Sequence, residues 1–176
     1  ADAWLGRRVV ATAVGGFGAH AQRVVAGTAM TFDAPEMLDD VGAAAFFFPF
    51  HLAHLGLHER GRLQPGETVL VHGAAGRVGT AALELGAVAG LRMIGTCSGR
   101  DRAAVERLGA VAIDYRSEDF LERSRELTDG RGVDVVIDGI GGKVALRSFR
   151  ALRRGNQITG DPGGRLVTMG AYNTLV

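Results

Sequence analysis

At 176 residues the chain holds one domain, or one domain and a piece of a second, and its 47% of hydrophobic residues suffice for a core. Its 20 basic and 19 acidic residues are interspersed and sum to +1, which gives no electrostatic reason to expect nucleic acid or a membrane surface. The single cysteine, Cys97, excludes an internal disulfide and any multi-cysteine zinc site, and ADAWLGRRVV lacks a signal-peptide layout, so a reduced, cytoplasmic setting is expected.

Residues 1–33 read as short strands around a glycine turn (VVATAVGGFGAHAQRVV), with Phe32–Pro35 as a linker. Such strands leave exposed edges by themselves, so residues 1–33 are expected to be the tail of a preceding β-domain. Pro35 is then expected to open a helical stretch that runs to about Arg60, ending before Gly61 and Pro65. Its apolar run Val41–Phe50 (VGAAAFFFPF) is about half the length of a membrane span. Phe46, Phe47, Phe48 and Phe50 are expected in the core.

Beyond this point five apolar, strand-like runs alternate with helical patterns. The strands are predicted over Thr68–His72, Leu91–Thr96, Val111–Asp114, Val133–Asp138 and Arg165–Met169. The helices are predicted over Gly76–Gly90, Asp101–Leu108, Ser117–Thr128 and Gly142–Leu152. Continuous apolar strands separated by helices imply a parallel sheet covered on both faces, hence a doubly wound α/β fold spanning residues 34–176. GNQITGDPGG, Gly155–Gly164, is a polar loop with no evident purpose in that scheme.

The chemistry concentrates where the first of these strands meets its helix, in VLVHGAAGRVG. Small residues there leave backbone N–H groups free at a positive helix end, a cradle for an anion. Gly73 begins the turn, Gly76 lets a pyrophosphate approach, and Gly79 lets the helix pack against the sheet, with Ala75 and Val78 beside them. Ala74 stands where the commonest fingerprint has its first glycine, so a turn without a ligand is the competing reading. Arg77 has two open readings, a phosphate contact or solvent.

The next strand ends in TCSGRDR, residues 96–102, with no acid at its tip to hold ribose hydroxyls. Ser98 and Arg100, with Arg102 as a further candidate, are suited to a 2′-phosphate, and this favours NADP over NAD. The alternative is that Ser98 or Asp101 merely caps the next helix. Asp101 is the residue that would reverse the preference.

LQPGETVLVHGAAGRVGTAALELG, LGAVAIDYRSEDF and GRGVDVVIDGIGG, followed by RSFRALRRG and GRLVTMG, together resemble the zinc-independent quinone oxidoreductases of the medium-chain dehydrogenase/reductase superfamily. The resemblance implies a Rossmann domain joined to an irregular β-barrel catalytic domain, of which residues 1–33 would be a remnant. It implies NADPH as cofactor and hydride transfer to a quinone or enone, with an enoyl reductase of acyl thioesters or a non-catalytic NADPH-binding module as alternatives. The dinucleotide would lie across Gly76–Val78, its 2′-phosphate near Ser98, Arg100 and Tyr115, and its nicotinamide near Gly139, Gly141 and Gly170. A homodimer of the intact protein fits the same family. Where many relatives carry NYxTAY this chain has Pro49-Phe50-His51-Leu52-Ala53-His54, and no catalytic side chain is assigned. Taken alone, the chain is expected to bind NADPH with little turnover.

His51, His54 and His58 share a helical face, but with no cysteine and only Glu59 close by they read as buried or packing residues rather than a metal site. His72 and Cys97 read as structural.

Overall fold

The structure, a computed structural model, describes residues 2–16 and 18–169. Gly170, one of the proposed nicotinamide contacts, lies outside the described residues. The chain divides into two compact units, Ala1–Phe48 and Pro49–Val176.

In the first unit β1 (Val9–Ala13) pairs antiparallel with β2 (Ala26–Asp33), from Val9 opposite Asp33 to Ala11 opposite Thr31, and a register shift precedes Ala13. Helix α1 (Asp40–His54) starts five residues later than Pro35. The carboxylate of Asp39 accepts the Gly42 N–H at 2.6 Å, and this cap, rather than the proline, sets the start. The aromatic cluster is only partly core. Phe47 stacks against Phe32 with ring centroids 5.0 Å apart, whereas Phe46 and Phe48 are 41% and 59% exposed. A helix apolar all round has more faces than one two-stranded sheet can cover.

The helix continues into the second unit, where Leu55–Arg60 widens into a π-turn with the Gly61 N–H donating to the Gly56 carbonyl at 2.8 Å. From Asp40 to Arg60 it is 21 residues long and includes an 18-residue stretch of mean hydropathy 1.2, of which 28% is buried, so by length and composition it is long and apolar enough to cross a membrane. The ten-residue apolar run therefore understates it. His54 and His58 are exposed, not buried, but their rings pack 4.7 Å apart.

The second unit is the doubly wound sheet. Strands β3 (Thr68–Val71), β4 (Arg92–Cys97), β5 (Val111–Asp114), β6 (Val135–Asp138) and β7 (Arg165–Thr168) are all parallel, in the order β5-β4-β3-β6-β7. Between them run α2 (Arg77–Val88), α3 (Arg102–Arg107), α4 (Phe120–Leu127) and α5 (Gly142–Ser148). Alternation along β3 sends Val69 and Val71 to the face that holds Ala81, Ala82 and Leu83 of α2. Leu70 goes to the other face, with Ile94, Ile113, Val136 and Phe120 of α4. Burying Val69, Leu70 and Val71 completely contributes roughly 1.5–3 kcal/mol each, which is why the central strand carries no polar side chain between Thr68 and His72.

The Gly155–Gly164 loop closes on itself through an Asn156–Asp161 bridge. Arg153 ties it down by pairing with both Asp161 and Asp134, the latter at 2.6 Å, at the end of the sheet where β6 begins. The loop belongs to the N-terminal edge of the strands, away from their carboxyl ends.

Among the described residues the one buried side-chain polar atom without a partner is the Ser124 hydroxyl on α4. An unmade hydrogen bond in the core costs about 1–3 kcal/mol. Ser124→Ala is therefore expected to raise unfolding stability by about 1 kcal/mol, seen as a higher urea midpoint at unchanged slope.

Candidate functional site

Because β3 is flanked by β4 and β5 on one side and by β6 and β7 on the other, the strand order reverses there and a crevice opens beyond the carboxyl ends of the strands. Gly73, Ser98, Tyr115 and Gly139 follow the tips of β3, β4, β5 and β6 in turn. Residues far apart in sequence are thus gathered at one edge.

The loop after β3 is held rigidly. Gly73 adopts φ +67°, a conformation that favours glycine, its N–H donates to the Thr96 hydroxyl at 3.2 Å, and the Ala74 N–H donates to the Thr96 carbonyl at 2.9 Å. The Gly76 N–H closes the turn on the Gly73 carbonyl at 2.9 Å. Gly76 is consequently not a free donor, although it is exposed. Among the described residues the N–H groups of Ala75, Arg77 and Val78 donate to no protein acceptor. Three unpartnered amides at the start of a twelve-residue helix are what a diphosphate needs. Gly79 is buried beneath the turn, where a Cβ would sit 2.3 Å from the Gly73 oxygen and 2.7 Å from the Ala74 Cα.

A cleft of about 230 Å³ joins this loop to the tips of β4 and β5, lined by Gly73, Ala75 and Gly76 with Ser98, Arg100 and Tyr115. Two further charges line it, Asp101 and Arg116. The Ser98 hydroxyl donates to the Asp101 carboxylate at 2.5 Å, and that bond holds the Asp101 carboxyl below the ordinary range. Arg100 approaches the same carboxylate at 3.4 Å but is 88% exposed. Arg116 lies over the Tyr115 ring at 5.8 Å. The cleft thus carries two guanidiniums and one carboxylate. Arg77 is exposed and outside its lining, and Arg102 is paired with Glu118 and with the Ala112 carbonyl.

Beside β6 the Asp138 carboxylate accepts the N–H groups of Ile140 (2.8 Å) and Gly141 (3.2 Å). Gly141 is buried with its amide engaged, so what it gives the loop is shape, at φ +77°, while Gly139 and Ile140 face outward. Under the loop, His72 lies buried between Thr96 and Ser148 at 3.1 and 2.9 Å, its ring edge-on to Phe120. Burial lowers its pKa to about 4 against the opposing pull of Asp138, so the imidazole is neutral. Burial likewise pushes the Cys97 thiol up, in keeping with a strand residue rather than a nucleophile. Among the described residues no group of His, Cys, Asp or Glu is arranged to hold a metal ion.

The motifs assign Gly73, Ala75, Gly76, Ser98, Arg100 and Tyr115 to one site, and these residues share one cleft. Arg116 escapes the motifs, although its place directly after Tyr115 at a strand tip is a usable signal.

The family model described as "Zinc-binding dehydrogenase" matches residues 78–175. A phenolphthiocerol/phthiocerol polyketide synthase polypeptide of Mycobacterium tuberculosis is 40% identical over 169 residues, which cover 94% of this chain and 7% of that protein. A Nematostella vectensis quinone oxidoreductase-like protein 2 homolog is 38% identical over 149 residues, covering 84% of this chain and 40% of the relative. The crystal structure of CurK enoyl reductase superposes with a TM-score of 0.73 at 32% identity, over 84% of this chain and 42% of that one. The chain therefore spans well under half the length of these proteins.

Proposed function

The chain belongs to the zinc-independent quinone oxidoreductase family of the medium-chain dehydrogenase/reductase superfamily, and from that premise we propose that it binds NADPH for hydride transfer to a quinone or enone. The observation that carries this reading is the set of unpartnered amides at Ala75, Arg77 and Val78 at the start of α2, beside a cleft that Ala75 lines and two arginines border. The residues fit the group: the diphosphate meets N–H donors, and Arg100 and Arg116 border the position of a 2′-phosphate. When bound, the nicotinamide supplies the hydride. The chain's own residues bind and orient, with Gly139 and Ile140 forming the wall beyond β6. In this reading residues 1–33 are the tail of a β-barrel catalytic domain and 34–176 the cofactor domain.

Calorimetric titration of the chain with NADPH and NADH tests the assignment. NADPH is expected to bind more tightly, and tighter binding of NADH would reverse it. Asp101 is the group that opposes NADPH, placing a carboxylate beside the incoming phosphate and holding the Ser98 hydroxyl. Asp101→Asn is expected to tighten NADPH by about tenfold and leave NADH within about twofold, while Arg100→Ala weakens NADPH alone by about tenfold, the worth of one charge-assisted bond.

A second reading, an enoyl reductase acting on an acyl thioester, draws support from the similarity to a polyketide synthase along 94% of the chain and from the likeness to CurK enoyl reductase. Both readings deliver hydride to a conjugated carbonyl. NADPH oxidation by the intact protein with benzoquinone against a crotonyl thioester separates them. Oxidation with neither, despite NADPH binding, would favour a non-catalytic nucleotide-binding module.

A further inference from the structure

We propose that His72 is a positioning residue for the diphosphate loop, acting in its Nε2–H tautomer through the Thr96 hydroxyl on the Gly73 amide. The inference rests on the dinucleotide reading above and adds to it a buried relay that the loop motif itself does not contain.

The direction of each bond follows from counting hydrogens. Ser148 donates its one hydroxyl hydrogen to the Val144 carbonyl at 2.8 Å, one turn back on α5. Toward His72 it can then only accept, so the Nε2 atom at 2.9 Å is the donor and carries the proton. A neutral ring protonated at Nε2 has a bare Nδ1, which accepts from the Thr96 hydroxyl at 3.1 Å. That leaves the Thr96 oxygen free to accept, and the Gly73 N–H points at it at 3.2 Å. The sequence of donors runs from Gly73 to Thr96, from Thr96 to His72, from His72 to Ser148 and from Ser148 to Val144. Every link has one direction.

Three parts of the fold meet in this relay: β4 through Thr96, the loop that leaves β3 through His72, and α5 through Ser148. His72, Thr96 and Ser148 are 6%, 4% and 0% exposed, so water does not compete for the bonds. The side chains facing the ring are Phe120 from α4, Ser148 from α5, Thr96 from β4 and the charge of Asp138 from β6. Gly73 is where the loop must turn with positive φ, so fixing its N–H fixes the plane of the peptide from which the Ala75, Arg77 and Val78 amides are laid out. In the other tautomer Nδ1 would be a donor, and the Thr96 oxygen would accept from both Nδ1 and the Gly73 amide, leaving its own hydrogen without His72 as an acceptor.

Two variants separate positioning from packing. In His72→Asn the side-chain oxygen occupies the place of Nδ1 and still accepts from Thr96, but the contact with Ser148 is gone. In His72→Gln the side-chain nitrogen takes the place of Nε2 and keeps Ser148, while Thr96 loses its acceptor. Asparagine removes more volume, so packing alone predicts that it is the worse of the two. Positioning predicts the opposite: NADPH affinity within about threefold of wild type for His72→Asn, about tenfold weaker for His72→Gln, and about tenfold weaker for Thr96→Val with recovery in Thr96→Ser. Amide hydrogen exchange at Gly73 should follow the same order, slow in wild type and His72→Asn and faster in His72→Gln. The ring ¹⁵N shifts of wild type at neutral pH should show Nε2 protonated and Nδ1 bare.

A protonated Nδ1 in wild type overturns the proposal whatever the variants do, and so does His72→Asn binding NADPH as weakly as His72→Gln. If wild type binds neither NADPH nor NADH, while the ring tautomer and the Gly73 exchange order come out as expected, the dinucleotide reading is what has failed. The relay then stands as loop architecture, and its role toward a diphosphate is withdrawn.

Discussion

Gly79→Ala is expected to abolish measurable dinucleotide binding and to destabilise the chain by about 3 kcal/mol, whereas Gly76→Ala should leave stability within about 1 kcal/mol of wild type and weaken binding at least tenfold. The two glycines are three residues apart in one motif, and their surroundings predict opposite signatures. A methyl group on Gly79 would lie 2.3, 2.7 and 2.9 Å from backbone atoms of Gly73 and Ala74. Backbone cannot rotate away as a side-chain tip can, so the first turn of α2 must back off the loop, at the cost typical of an overpacked core. The amides of Arg77 and Val78 move with it. At Gly76 the nearest atom to an added methyl is the Gly73 oxygen at 3.1 Å, relieved by a shift of a few tenths of an ångström, and φ is an ordinary −78°. The methyl there projects from an exposed position into the space an anion would occupy. Urea unfolding and NADPH calorimetry on both variants give the comparison. Unweakened binding by Gly76→Ala would mean that nothing docks against this face of the loop.

The sheet is legible in the sequence because its strands are buried on both sides, so TVLV, VAID and VVID stand out as unbroken apolar runs among amphipathic helices. Their ends are less so. His72 continues the β3 pattern and Val133 precedes the β6 pattern, yet both fall outside the strands; the His72 N–H still reaches the Ile137 carbonyl of β6, but the chain turns at the next residue, Gly73, with φ +67°. The start of α1 is misplaced by sequence because Pro35 and Asp39 both carry start signals, and only geometry shows which one caps. At the site, glycine spacing announces the loop, but not which amides stay free. Gly76 looks like a donor by position and is engaged with Gly73. Asp101 can be read as a helix cap or as a specificity element, and its bond to Ser98 makes it a lining group of the cleft. None of this follows from residue types, because each depends on where one hydrogen points. The Gly155–Gly164 loop, without purpose in the sequence, is explained by Arg153, whose two carboxylate partners are 19 residues before it and 8 after.

Acidification from pH 7 to pH 5 is expected to lower unfolding stability by about 2 kcal/mol, and most of that loss should disappear in His72→Asn. His72 titrates at about 4 in the folded chain against 6.5 for an unperturbed histidine. Between those values the unfolded chain binds a proton that the folded chain does not, so stability rises with pH across the window and falls as pH is lowered through it. The full contribution is present above pH 6.5, erodes down to about pH 4, and is flat below, where both states are protonated. The complete span is on the order of 3 kcal/mol, since each pH unit separating the two titrations is worth about 1.4 kcal/mol. The carboxylates act elsewhere on the scale. Asp101 and Asp161 are held below their ordinary range by the Ser98 and Arg153 hydrogen bonds respectively, so what they contribute is lost on the acid side of about pH 4. Asp138 works against the effect by favouring the imidazolium, so Asp138→Asn should leave the loss at pH 5 nearly unchanged and deepen it at pH 4 and below, while also loosening the Ile140–Gly141 turn that its carboxylate caps. Urea midpoints of wild type and His72→Asn at half-unit steps from pH 7 to pH 4 measure the difference directly. Parallel curves would place the imidazole in contact with water, and the buried bonds to Thr96 and Ser148 could not then be as drawn.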